Sequence, residues 1–294
     1  MTITPVDGSA RLFGLRVATP NSIGGDRYED YTWGTSVATA LATRAAHRIH
    51  DALADADGGS NHAGIAPEYM PLVLKALLVH GATWSARAEM MDAVFQPQGQ
   101  GQHVARRDNI ARLLGYGVPD VDRVIDCTAN RATLLGYGTL EPEHGALYRI
   151  PLPLELDGER ALRFLTVTLA WFSPINSRHQ GYRMAALDVS PGNVDGGYWI
   201  TSKRVSSQPT DKTVARGTVF HERRQGEEAQ VYVDDGHLLL RVSCRAAAGD
   251  LDDAVPYALA VSFEVAVDAG IAVYDDIRTR LAAQVRAEIA PRVQ

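Results

Sequence analysis

Cysteine is scarce in this sequence. Its 294 residues include only Cys127 and Cys244, which are too far apart to form a CxxC pair. That excludes a disulfide framework and a cysteine-based zinc site. The nine histidines are scattered and show no HExxH or other ligand spacing. His47 and His50, the closest pair at i and i+3, read as the polar end of a helix, so no metal and no cofactor is expected. Charge of one sign is also lacking. A net charge of −6 with no run of like charges argues against a nucleic-acid partner. Long apolar runs are missing too. The first twenty residues contain Asp7, Gly8 and Arg11 without an apolar core segment, and Tyr257 to Val273 is broken by Glu264 and Asp268. Neither a signal peptide nor a membrane span is expected, and the expected location is cytoplasmic.

What is present is ordinary for a folded chain: 46% hydrophobic and 22% charged residues. The length suggests about two domains of ~100–200 residues. Leu12 to Thr19 reads as a short strand ending at Pro20. Val37, Ala38, Ala40, Leu41, Ala45, Ala46, Ile49 and Leu53 mark a helix rich in small residues. The Asp-, Gly- and Asn-rich stretch from Asp55 to Gly64 is a loop. A second helix is predicted from about Pro67 to Val79, stopped by His80-Gly81. Short helices follow at 110–114 and 120–126, after a Gln/Gly loop at 96–102.

Beyond residue 145 the period changes to two. Leu165, Val167, Leu169 and Trp171 alternate with other residues. So do Leu238, Leu240, Val242 and Cys244, and then Leu259, Val261, Phe263, Val265 and Val267. Alternation of this kind marks half-buried antiparallel strands, and the turn signals between them favour a β-sandwich. A helix is expected again from Asp275 onward. His221-Glu222-Arg223 reads as a solvated strand end, and Trp171 and Trp199 read as core.

The serine in Gly34-Thr35-Ser36-Val37-Ala38 stands where a loop becomes a helix. As a local signal this is ordinary N-cap chemistry. The five residues also match Gly-Thr-Ser-x-Ala, the nucleophile signature of the subtilisin-like serine peptidases, and the surroundings extend the match. Val17-Ala18-Thr19-Pro20 precedes the serine like the family's strand and turn, a small-residue helix follows it, and Leu114 to Asp122 is similar to the family's closing Gly-rich turn and helix. The chain therefore resembles the C-terminal portion of a subtilase catalytic domain. Ala38 at the last motif position disfavours the Gly-x-Ser-x-Gly elbow of α/β-hydrolases.

The resemblance implies an α/β fold, the C-terminal part of a subtilisin-like three-layer domain over residues 1–145. An all-β antiparallel sandwich over 146–270 and a C-terminal helix over 271–294 would follow. It implies a serine endopeptidase acting on a polypeptide substrate, with Ser36 as nucleophile and its backbone N–H as one oxyanion donor. The small residues after Ser36 are expected to bury their helix at the centre of the domain. The family's catalytic Asp, His and oxyanion Asn precede the serine, and no histidine lies before Ser36 here. An upstream subtilase segment carrying Asp and His is thus an expected partner, and the chain alone is expected to be inactive. The alternatives are a catalytically inactive truncated product, or a binding module acting through the sandwich.

Overall fold

The computed structural model describes residues 14–19, 29–55, 64–84, 86–95, 102–126, 128–192, 203–232 and 236–289. A two-stranded ribbon, β1 (Leu15–Ala18) and β2 (Glu29–Thr32), leads into helix α1 (Thr35–Asp55). Helix α2 (Met70–His80) comes next, with Pro71 in its first turn, where a preset φ and a missing N–H cost nothing. Strand β3 (Ala82–Thr83), α3 (Ala86–Val94), α4 (His103–Leu114), β4 (Val118–Pro119) and α5 (Asp122–Ile125) complete the helical portion. Helix α4 starts seven residues earlier than the apolar pattern implied. Its first turns are polar, and only Ile110 and Ala111 are buried.

The remaining elements are β5 (Arg131–Leu140), β6 (Gly145–Pro151), β7 (Arg163–Trp171), β8 (Ala185–Pro191), β9 (Lys203–Arg204), α6 (Asp211–Val214), β10 (Val219–Gly226), β11 (His237–Ala246), β12 (Val255–Val265) and α7 (Val273–Ile289). They form a five-stranded sheet in the order β5-β12-β7-β10-β9 and a three-stranded sheet in the order β6-β11-β8. All pairings among the described strands are antiparallel and neither sheet closes into a barrel. The chain is therefore mixed α and β. Strand β5 pairs with β12 from Arg131 to Leu140, so the five-stranded sheet takes in residues on both sides of position 145.

Alternation along β7 and β12 sorts the residues of the central sheet between two cores. Leu165, Val167, Leu169 and Trp171, with Leu259, Val261 and Phe263, face the three-stranded sheet and pack on Leu187, Leu238, Leu240 and Val242. The opposite face carries Ala170, Val219, Ala258 and Ala260, which receive Leu72, Val73, Ala76 and Leu77 of α2. Small side chains there let a helix approach closely, and each Leu or Val buried contributes roughly 1.5–3 kcal/mol. The result is a helix layer, a five-stranded sheet and a three-stranded sheet.

Glycines interrupt the apolar pattern of β5, which hides this strand in the sequence. A Cβ on Gly136 would lie 2.7 Å from Tyr148 Cε1, so the missing side chain makes room for a tyrosine of the facing sheet. Tyr148 and Tyr257 then share a hydroxyl contact of 2.6 Å across the sandwich.

Helix α1 departs from the expectation of a buried central helix. Ile49 is its only buried residue among those described, and Leu41 is 46% exposed. The helix meets α2 and α5 through its C-terminal half, with Ala45, Ile49 and Leu53 in the shared core and Arg48 paired to Asp122 at 2.5 Å. No described element covers its first turns.

Candidate active site

Ser36 is the second residue of α1, and it is exposed. Gly34 rather than Ser36 takes the capping position, because the first helical hydrogen bond runs from Ala38 N to Gly34 O at 3.1 Å. Gly34 has a φ of 117°, and a Cβ added there would meet nothing within 4 Å, so backbone conformation, not space, requires glycine. In the first turns the Thr39 and Thr43 hydroxyls donate back to the carbonyls of Thr35 and Thr39, at 2.8 and 2.9 Å. Among the described residues, the Ser36 hydroxyl makes no hydrogen bond. The cap explanation therefore leaves this hydroxyl without a structural task. The Ser36 N–H lies in the first turn, where N–H groups have no intrahelical acceptor and the helix dipole favours negative charge. A nucleophile and one oxyanion donor are compatible with this geometry.

Among the described residues, no base hydrogen-bonds to the Ser36 hydroxyl. His47 and His50 are on the same helix, with ring centroids 6.4 Å apart, and both approach Asp51. At about 1.5 Å of rise per residue, His47 is roughly 16 Å further along the axis from Ser36, beyond the reach of an imidazole.

Two other histidines form a buried polar chain that sequence reasoning missed. His80, at the end of α2, contacts Thr168 Oγ1 through Nδ1 at 2.9 Å and Ser262 Oγ through Nε2 at 2.6 Å. Thr168 Oγ1 also contacts His221 Nδ1 at 2.8 Å, and Ser262 Oγ contacts Thr133 Oγ1 at 2.6 Å. His221 is therefore no solvated strand end. It lies within β10 with its side chain turned into the helix–sheet interface, and the Tyr116 ring meets it edge-on. Glu222, next along the strand, is paired with Arg204 at 3.6 Å and Arg224 at 2.7 Å.

The Ser262 and Thr168 hydroxyls each serve two partners, so donors and acceptors alternate from Thr133 through Ser262, His80 and Thr168 to His221. Burial is the main force holding the His80 pKa well below its ordinary value, and His221, Arg123, Arg131 and Arg223 add to it. Burial, helped by Arg204 and Arg223, lowers His221 to about 3. Ser262 and His80 have the spacing of a nucleophile and base, yet they are 4% and 5% exposed and no substrate carbonyl can reach them. The pair joins α2 to the sheet. A signal for it was present in the sequence. On the helix-facing side, β7 and β12 place Thr166, Thr168 and Ser262 among alanines, hydroxyls that need buried partners.

The remaining polar candidates of the sandwich hold loops. Asn176 Nδ2 donates to the Ala248 carbonyl at 3.1 Å, and His179 Nδ1 accepts from Gly181 N at 3.0 Å. Trp171 is core, 2% exposed, whereas Trp199 and Cys127 lie outside the described residues. No helix of the described residues is long and apolar enough to cross a membrane.

The sequence matches no protein-family model and no curated protein. Solved structures similar to part of the chain include the capsid asymmetric unit of cyanophage Pam1, at 15% identity over 48% of this chain and 90% of that one, with a TM-score of 0.26. Others are PliG, a periplasmic inhibitor of g-type lysozyme from Aeromonas hydrophila, and the acid-stable capsid of Helicobacter pylori bacteriophage KHP30. They are 18% and 10% identical, each over 46% of this chain and over 88% and 92% of their own, with TM-scores of 0.22. Likeness this weak assigns the chain neither a shared fold nor a function.

Proposed function

We propose that this chain carries the nucleophile of a subtilisin-like serine endopeptidase, its first portion being the C-terminal part of that three-layer domain. Ser36 Oγ attacks the scissile carbonyl of a polypeptide, and the Ser36 N–H helps to hold the resulting oxyanion. The observation that supports this reading most is the position of Ser36. An exposed hydroxyl in the first turn of a 21-residue helix, inside Gly-Thr-Ser-x-Ala, has no capping or packing task. The proton leaving Ser36 goes to a histidine of an upstream segment, which returns it to the departing amine, while an aspartate orients the imidazole. The same proposal accounts for the open first turns of α1, which an upstream sheet would cover.

The test is labelling with a serine-directed phosphonate. The 294-residue chain by itself is expected to remain unlabelled. The protein extended by the sequence encoded upstream of Met1 is expected to be labelled at Ser36. An extended protein that carries no label at Ser36 would sink the proposal. A second reading, a non-catalytic module binding partners through the sandwich, is favoured by the lack of a histidine near Ser36 among the described residues. Retained partner binding by the extended Ser36→Ala protein, with no peptidase activity in the unmodified form, would select it.

A further inference from the structure

Helix α4 carries His103, Arg106 and Arg107 at spacings of i, i+3 and i+4, which place all three on one face. Continuing that stripe by one turn reaches Ile110, which is 1% exposed and packs with Trp84 and Ala88. Arg106 and Arg107 therefore stand half-buried, one turn before Ile110 and next to its apolar cluster, whereas His103 is exposed.

These side chains line a cavity of about 190 Å³ together with Trp84, Ser206 and Ser207. Among the described residues, Asp92 is the only carboxylate along the lining. Its Oδ1 lies 3.5 Å from Arg106 Nε, yet that nitrogen is buried with no hydrogen-bond acceptor. A buried Nε–H without an acceptor, on a side chain that is otherwise 24% exposed, leaves room for an anion from solvent to supply one.

The serine-bearing side is held rigidly. Gln208, 4% exposed, donates to the carbonyls of Val205 and Arg223 and accepts from Arg223 N, each at 2.8 Å. Thr210, 2% exposed, donates to Asp108 Oδ1 of α4 at 2.8 Å, and Arg204 donates to the Pro209 carbonyl at 2.8 Å. Segment 205–210 is thus tied to both β10 and α4, which fixes the two serines at the same cavity as Arg106 and Arg107. Preorganisation of this kind lowers the ordering cost of binding.

We propose that this cavity binds a phosphate dianion, either free or as a phosphomonoester. Planar guanidinium groups match tetrahedral phosphate oxygens, the serine hydroxyls of the lining add further donors, and the start of α4 adds its partial positive charge. The site uses neither Ser36 nor the buried histidine chain, so it stands whether or not the peptidase reading does.

Isothermal titration of the 294-residue chain with inorganic phosphate at about pH 7.5 tests it. Saturable binding with a dissociation constant of about 1 mM or tighter is expected. Arg107→Gln, which leaves the Arg106–Asp92 pair in place, should weaken binding at least tenfold. Arg216→Gln, remote from the lining, should leave it unchanged. Tighter binding of O-phosphoserine than of phosphate assigns a monoester ligand, and equal or weaker binding assigns the free anion. No saturable heat with the unmodified protein, or equal affinity in Arg107→Gln with an unchanged circular dichroism spectrum, overturns the site.

Discussion

Helices α1 and α2 are built from the same stock of alanine, leucine and valine, and they end in opposite environments. In α2, Leu72, Val73, Ala76, Leu77 and His80 are buried, whereas α1 buries only Ile49 although it is nearly twice as long. The difference lies in what each helix meets. Helix α2 finds a sheet face of alanines that admits its backbone and of hydroxyls that satisfy His80. The first turns of α1 find no such surface among the described residues. Apolar composition makes burial favourable, but a complementary face has to exist before it happens.

The largest expected effect tests what the open end of α1 is for. In the extended protein, Ser36→Ala should reduce peptidase turnover by a factor on the order of 10⁴ or more while leaving the melting temperature within a few degrees. A variant that keeps its activity would remove the reason for comparing α1 with a catalytic helix.

The next contrast sets equal truncations on the two helices side by side. Leu77→Ala, on the buried face of α2, should cost about 2–5 kcal/mol in urea unfolding, because it leaves a cavity against the sheet. A Leu77→Ala cost below about 1 kcal/mol would mean that α2 is not clamped as described.

Acid should also act on the α2 interface and not on α1. His80 and His221 are neutral in the folded protein but titrate near pH 6.5 once unfolded, so below that pH the unfolded chain binds more protons. Their contribution is complete above about pH 6.5 and shrinks as the pH falls towards His221's folded value of about 3. Each neutral histidine should cost about 1.4 kcal/mol of stability per pH unit below about 6.5. Urea midpoints measured between about pH 7.5 and pH 5 should decline, and His80→Gln, which keeps a donor and an acceptor but does not titrate, should flatten that decline. An unchanged slope in His80→Gln would place the acid sensitivity elsewhere.

The smallest effects belong to the exposed turns of α1. Gly34→Ala should cost about 1 kcal/mol, because an L-residue is strained at this positive φ. Leu41→Ala should stay within about 0.5 kcal/mol. A larger Leu41→Ala effect in the extended protein than in the 294-residue chain would show that upstream residues cover this face.

Local chemistry made several features legible in the sequence. The period-two pattern of Leu165, Val167, Leu169 and Trp171 specified β7, and the corresponding patterns specified β11 and β12, because a strand sends alternate side chains to opposite faces. Gly-Thr-Ser followed by small residues located the start of α1, and the Leu and Val run ending at His80-Gly81 located α2. Strand β5 escaped because its glycines answer to tyrosines on other strands, Gly136 to Tyr148 and Gly138 to Tyr257. His80 and His221 escaped for the same reason: each looks like an isolated polar residue until Thr168 stands between them. The grouping of His103, Arg106 and Arg107 required α4 to extend through a polar stretch that carries no apolar period.

By itself, then, the sequence determined which segments are helix or strand wherever burial repeats at a regular spacing, and which serine stands at a helix start. Only the tertiary structure decided which helix is covered, where the buried hydroxyls and imidazoles meet, and which cations share a cavity. Those outcomes depend on contacts between residues far apart in the chain, and no local pattern of side chains encodes the shape of the surface that receives them.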